Sequence, residues 1–302
     1  MYNILAKSSI STQDSFQKEN VFNHIKPISS KSEIFHPNYK EFISPSFLRR
    51  LSPIIKMGLT TAKDCLSQIN KPFDAIIVGT GLGCLKDTEK FLINLLSNSK
   101  GIISPTAFIL STHNTIGGQI SLSMKNHSYN VTHTQNNISF EISLIDAMMQ
   151  VNEGKKNVLV GGCDEYIPFL SSLKPILIPE KYPYKSGASF FVVGSNSKTN
   201  VVNVVDVKVY FNVVNIKDEI TIFLENQNLK INEIDIVFHS DLNSTLINDF
   251  NKQLNYLKYT GFNFSASSFA MYMAIDYIQN NKKSKSLVVN FHCGQLGLIL
   301  LT

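Results

Sequence analysis

The sequence predicts an α/β protein built from two duplicated halves, the second more compact than the first. Three observations carry this. Short apolar runs of strand length, among them 73–78, 187–193, 234–238 and 287–291, alternate with longer stretches of helical periodicity. Two distant stretches, SFEISLIDAMMQVNEGKKNVLVGGC from Ser139 and SFAMYMAIDYIQNNKKSKSLVVNFHCG from Ser268, share one plan. Each has Ser-Phe, an inner Asp (Asp146, Asp276), a Lys pair, an apolar strand and a small-residue turn with a Cys. Finally, unbroken apolar strands interleaved with helices imply a mostly parallel, buried sheet in each half.

The elements follow in order. Residues 1–33 are rich in Ser, Gln, Asn and Lys, with Ile4–Ile10 as an edge strand. Pro53 precedes a helix over Ile54–Ile69. The buried strand Phe73–Val78 runs into Gly79-Thr80-Gly81-Leu82-Gly83-Cys84. This is G-x-G-x-G, not G-x-G-x-x-G, and no acidic residue closes a second strand at the expected distance. It therefore reads as a tight strand-to-helix turn rather than a dinucleotide site. A short amphipathic helix spans Asp87–Ser97, and Pro105–Lys125 begins extended and turns helical near Ile116. His113 near Ser111 suggests a hydrolase pair, yet no G-x-S-x-G elbow accompanies it, which leaves His113 as a buried, interface or pocket histidine.

Tyr129–Glu165 reads as strand, polar turn (Thr134-Gln135-Asn136-Asn137), buried helix and second strand. The start of that helix offers unpaired N–H groups and the positive end of the helix dipole, a setting for a nucleophile or a developing negative charge. Tyr166–Ser186 is an irregular loop, and Val201–Val214 a long strand. Helices are expected over Asp218–Asn226, Thr245–Tyr256 and Ser267–Gln279. Two closing strands are joined by His292-Cys293-Gly294-Gln295. A pseudo-twofold relating the halves brings the starts of the two buried helices together, a natural place for a shared site.

Composition narrows the function classes. The net charge of +5 is mild, and no basic run with interleaved aromatics suggests nucleic acid. Four scattered cysteines form neither a zinc pattern nor a disulfide framework, so reduced thiols and no metal are expected. No apolar run reaches bilayer length and no signal peptide is seen, which predicts a cytoplasmic protein without a membrane span.

Several motifs resemble the β-ketoacyl-(acyl carrier protein) synthases. Asn114-Thr115-Ile116-Gly117-Gly118-Gln119-Ile120-Ser121 is similar to their Asn-x-x-Ala-Gly-x-Ile-Ser segment. Tyr129–Thr132 is similar to the strand entering their nucleophile turn, and Gly154–Glu165 to their Gly-x-x-x-Val-x-Val-x-Gly-Gly-x-x-Glu strand. The second half matches less closely. His239-Ser240-Asp241-Leu242-Asn243 falls where that family has His-Gly-Thr-x-Thr, and Thr260-Gly261-Phe262 where it has Thr-Gly-His. The resemblance implies a thiolase-like fold with a layered αβαβα architecture. It divides the chain into a segment 1–44, a synthase-like N-terminal half 45–200 and a shortened C-terminal half 201–302.

The resemblance also implies roles. In that family a Cys at the helix start carries the acyl chain as a thioester, and two histidines assist decarboxylation and attack. Counting back from Gly154 places Asn137 at the nucleophile position, with Gln135 and Asn136 as neighbours that share its lack of reactivity. Phe262 stands at the second His position, and His239 alone is retained. The neighbouring lysine position falls at Leu257 or Lys258. Phe140 and Cys293 join the pocket candidates, Cys293 standing in the closing loop where the family has a gating Phe.

The pattern is similar to chain-length factors, cysteine-less partners of active ketosynthases in polyketide, aryl-polyene and flexirubin-type pathways. The expected partners are a catalytic ketosynthase in a heterodimer, or a second copy, and acyl carrier protein, with no cofactor. Arg49-Arg50 and Lys155-Lys156 are candidate carrier-docking residues. The alternative is a diverged acyltransferase or malonyl decarboxylase using His239, with Cys163 or Cys293 as a substitute nucleophile.

Overall fold

The computed structural model describes residues 2–97, 104–173, 181–195, 202–240, 242, 248–282 and 284–302. Strands β1 (Tyr2–Ile10), β2 (Ala75–Gly79), β3 (Tyr129–His133), β4 (Val158–Asp164) and β5 (Gly187–Gly194) come from the first part of the chain. Strands β6 (Asn203–Tyr210), β7 (Ile236–His239), β8 (Gln253–Asn255), β9 (Ser286–His292) and β10 (Gln295–Leu301) follow. They form one ten-stranded sheet in the order β3-β2-β4-β5-β1-β6-β10-β9-β7-β8. Counted outward from the β1/β6 junction, both halves run first, fifth, fourth, second and third strand, so the duplication extends to topology. β2 lies parallel to β3 and β4, and β7 to β8 and β9, while β1, β5, β6 and β10 pair antiparallel. The parallel pattern expected for each half therefore holds only toward the two outer edges.

The helices are α1 (Pro45–Leu48), α2 (Pro53–Ile69), α3 (Leu85–Ser97), α4 (Pro105–Leu110) and α5 (Thr115–Met124), then α6 (Ser139–Asn152), α7 (Ile216–Glu225), α8 (Leu257–Thr260) and α9 (Ala266–Asn280). Strand side chains alternate between faces, and the core divides accordingly. On β2, Ile76 and Val78 pack outward with α2 and with Ile116 and Ile120 of α5, while Ala75 and Ile77 face α6 and α9. In the second half, Val237, Leu287 and Val289 face α7, while Ile236, Phe238 and Val288 face the two central helices. The two five-stranded halves of the sheet, joined through the short pairing of Tyr2 and Asn3 with Val204 and Asn203, act as separate layers, and the result is five layers, αβαβα, with α6 and α9 buried in the middle. Among the described residues no helix is long and apolar enough to cross a membrane.

Three local expectations are corrected. The Ile4–Ile10 stretch is an interior strand rather than an edge, paired with β5 and, at Tyr2 and Asn3, with β6. Its polar residues find partners far along the chain: Ser9 Oγ meets Ser189 Oγ at 2.8 Å, and Lys7 Nζ meets Asp276 at 3.0 Å and lies over the Tyr272 ring. Pro105–Leu110 is helical, with Pro105 in the first turn where its missing N–H costs nothing. Within Thr245–Tyr256, Gln253–Asn255 forms β8, drawn into register beside β7, and residues 245–247 lie outside the described residues.

The GTGLG turn also finds its explanation. Asp164, at the end of β4, accepts hydrogen bonds from Thr80 Oγ1 (2.9 Å), Gly81 N (3.0 Å) and Leu82 N (3.0 Å). An internal carboxylate thus takes the N–H groups that a phosphate receives in nucleotide-binding turns. Burial pushes the Asp164 pKa up and these donors pull it back. Asp164→Ala strands three donors in the interior and is expected to cost on the order of 3 kcal/mol in urea unfolding at pH 7.

Candidate functional site

The turn before α6 is the first wall of the site. Asn136 sits in the left-handed region (φ 49°), and residues 136–138 form a single 3-10 turn leading into the helix. Ser139 Oγ ties the turn, accepting from Gln135 N at 2.8 Å and donating to Asn136 O at 2.6 Å. Gly79, the last residue of β2, permits this start to sit close. A Cβ there would lie 2.6 Å from Ser139 O. Asn137 is consequently turned inward and is only 3% exposed.

Asn137 lines a cavity of about 190 Å³ together with Phe262, Ala266, Asn290, His292 and Cys293. Tyr182, Ser240, Tyr256, Leu257, Asn263 and Phe291 complete the wall. The starts of α6 and α9 meet here, as the repeat predicts. Both polar side-chain atoms of Asn137 are buried and have no hydrogen-bond partner among the described residues. An orphaned amide in a cavity is costly unless something is bound to it.

Beneath the cavity lies a polar network. Asn290 Nδ2 donates to Asn137 O (2.6 Å) and to Glu141 Oε1 (2.9 Å), while its Oδ1 accepts from Tyr256 OH (3.0 Å). Glu141, on the first turn of α6, is fully buried and presses on Gly297, where a Cβ would come within 2.7 Å of its Cγ. Burial raises its pKa to about 7, opposed by Asn290 and the Ser267 hydroxyl. Glu141 Oε2 and Ser267 Oγ are both buried and have no hydrogen-bond partner among the described residues.

The predicted residues separate into two groups. Asn137, Phe262 and Cys293 share the cavity, and Leu257 joins them. His239 stands one residue from the lining Ser240, 3% exposed, with its ring engaged. Its Nδ1 accepts from Leu242 N at 3.3 Å, which places the proton on Nε2, 3.1 Å from Gln253 Oε1. Gln135 and Asn136 are exposed on the turn. Phe140 is fully buried against Phe191, with ring centroids 5.8 Å apart. His113 is exposed and covers Gly83. Asp241 and Asn243 lie outside the described residues. Cys163 is fully buried, and burial drives its thiol pKa far up.

Glu141, Asn290 and Tyr256 were not singled out from the sequence. The signal was present as the one charged residue of the helical stretch SFEISL and the one polar residue of the apolar strand LVVNF. Such residues are tolerated in a core when they meet.

The sequence profile of the β-ketoacyl synthase N-terminal domain matches residues 29–184. No curated protein matches. Solved structures do. The ishigamide ketosynthase/chain length factor is 11% identical with a TM-score of 0.80, over 99% of this chain and 98% of that one. The ketosynthase–carrier complex AntDE:AntF is 13% identical with a TM-score of 0.79, over 100% and 98%. The ketosynthase ApeO in complex with its chain length factor ApeC, from Xenorhabdus doucetiae, is 15% identical with a TM-score of 0.64, over 100% and 98%. At these identities the likeness is one of fold. With the profile covering more than half its length, the chain belongs to the β-ketoacyl synthase N-terminal-domain family and has its thiolase-like fold.

Proposed function

We propose that the protein is a non-condensing ketosynthase-like subunit of the chain-length-factor type. It pairs with a cysteine-bearing β-ketoacyl synthase and shapes the space in which an acyl chain grows, in a polyketide, aryl-polyene or flexirubin-like pathway supplied by acyl carrier protein. One observation carries this reading. The helix start that would hold the reactive thiol presents the amide of Asn137, in one cavity with Phe262 where a second histidine would stand. An amide is no thioester nucleophile and a phenyl ring donates no proton, so condensation lacks two of its groups.

Two further features support a partner. Among the described residues β3 is unpaired on its outer side, and Leu122, Tyr129 and Met149, on α5, β3 and α6, are exposed large residues around that edge. A free edge flanked by apolar side chains suits strand-to-strand pairing with another subunit. Solved relatives include a ketosynthase bound to its chain length factor. The division near residues 200–201 then separates two five-stranded halves of one subunit.

The test is co-expression with a cysteine-bearing ketosynthase. A stable complex is expected, with condensation that depends on the partner's thiol and carbon dioxide release from malonyl carrier protein absent in the isolated chain. Asn137→Cys alone is expected to leave condensation absent, because Phe262 remains. Condensation by the isolated wild-type chain would overturn the reading.

A further inference from the structure

The hairpin turn at the mouth of the cavity carries a second chemistry. β9 and β10 are joined by Cys293 (φ 47°) and Gly294 (φ 77°), both left-handed, as a two-residue type I′ turn requires. Asn, Asp or Gly usually fills the first of these positions. Here it is a cysteine, and it is exposed, whereas Cys65, Cys84 and Cys163 are buried. Its Sγ lies 3.3 Å from His292 Nε2. The His292 ring packs on Phe262 with centroids 5.1 Å apart. Both residues line the same cavity as Asn137, which is 3% exposed and whose amide has no partner among the described residues.

We propose that Cys293, with His292 as its base, is an acyl-accepting site that exchanges short acyl groups with carrier-type thioesters. The thiol proton passes to His292 Nε2 as Sγ bonds to the thioester carbonyl carbon. Asn137 supplies an N–H donor in the same cavity for the carbonyl oxygen. The bond from that carbon to the carrier sulfur then breaks, and the departing thiolate takes the proton back from His292. The products are acyl-Cys293 and a free carrier thiol, with no redox change. Burial holds the His292 pKa below the ordinary imidazole value, so the ring is neutral near pH 7 and able to accept the proton. The cavity, about 190 Å³, falls below the roughly 300 Å³ at which pockets begin to enclose drug-sized ligands, which selects acyl groups of a few carbons. The site is independent of subunit pairing, since the acylated sulfur sits in a hairpin turn and no condensation follows from it.

The experiment incubates the purified chain with acetyl-N-acetylcysteamine and maps adducts by peptide mass spectrometry. The expected adduct is on Cys293, is removed by neutral hydroxylamine, and forms at least about tenfold faster than on glutathione at the same pH. His292→Ala is expected to remove that advantage, and with it a rise in rate through a pKa below the ordinary imidazole value. Asn137→Ala slows acylation without moving the pH profile. His292→Gln repeats the test if the alanine variant unfolds, with folding checked by circular dichroism. Labelling at the glutathione rate and indifferent to His292, labelling on another cysteine, or no labelling of the folded chain overturns the proposal. Co-purification with a ketosynthase is a separate readout, so failure here is distinguishable from failure of the subunit reading.

Discussion

Replacing Glu141 with Gln is expected to stabilise the protein above pH 7 and to leave it nearly unchanged below pH 4.5. Burial raises the Glu141 pKa from 4.5 to about 7. In the intervening range the folded chain holds a proton that the unfolded chain has released. Stability from this group is therefore full below the unfolded pKa, falls as pH rises, and is gone above the folded pKa. A shift of that size corresponds to about 3 kcal/mol. The amide fits the site. Its oxygen keeps the bond from Asn290 Nδ2, and its nitrogen replaces the orphaned Oε2. Urea unfolding at pH 4.5 and pH 8 measures the effect. The wild type should lose stability between the two, and Glu141→Gln should lose about 3 kcal/mol less. An unchanged slope would mean that Glu141 is not the titrating group.

The duplicated plan was legible because it rests on periodicity, which a single sequence displays. Ser139–Asn152 and Ala266–Asn280 became the two central helices, and the apolar runs became strands on each side of them. What stayed hidden was satisfied at long range. β1 looks polar enough for an edge, yet Lys7 is paired with Asp276 and Ser9 is hydrogen-bonded to Ser189, across separations no local pattern reports. The site divides the same way. Asn137 and Phe262 could be placed through the motifs that resemble the synthases, and both line the cavity. Glu141 and Asn290 could not be paired from sequence, because only the meeting of α6 with β9 brings the carboxyl and the amide together. Gln135, Asn136 and Asn137 are chemically alike in sequence, but the left-handed turn at Asn136 turns only Asn137 inward and leaves the other two exposed.

That inward turn depends on Gly79, and Gly79→Ala is expected to have the larger effect on the site. The added Cβ would lie 2.6 Å from Ser139 O and 2.8 Å from Phe140 Cα, both backbone atoms. Neither side can yield easily. Gly79 is held between His133 of β3 and Gly162 of β4, and the helix start is tied by Ser139 Oγ and by Phe140 packed on Phe191. Overpacking of this kind costs about 1–3 kcal/mol, and more where backbone must move. We expect a loss of about 3 kcal/mol in urea unfolding, together with faster amide exchange over residues 135–142 as the start of α6 lifts. Gly118→Ala is the internal control. That position lies in α5 with nothing near the added methyl, so alanine should stabilise by roughly 0.5–1 kcal/mol through helix propensity and a smaller unfolded-state entropy. If Gly79→Ala behaves like Gly118→Ala, the close seat of α6 on β2 is not what positions Asn137. If only Gly79→Ala loosens residues 135–142, the geometry of the cavity is set by a missing side chain one strand away.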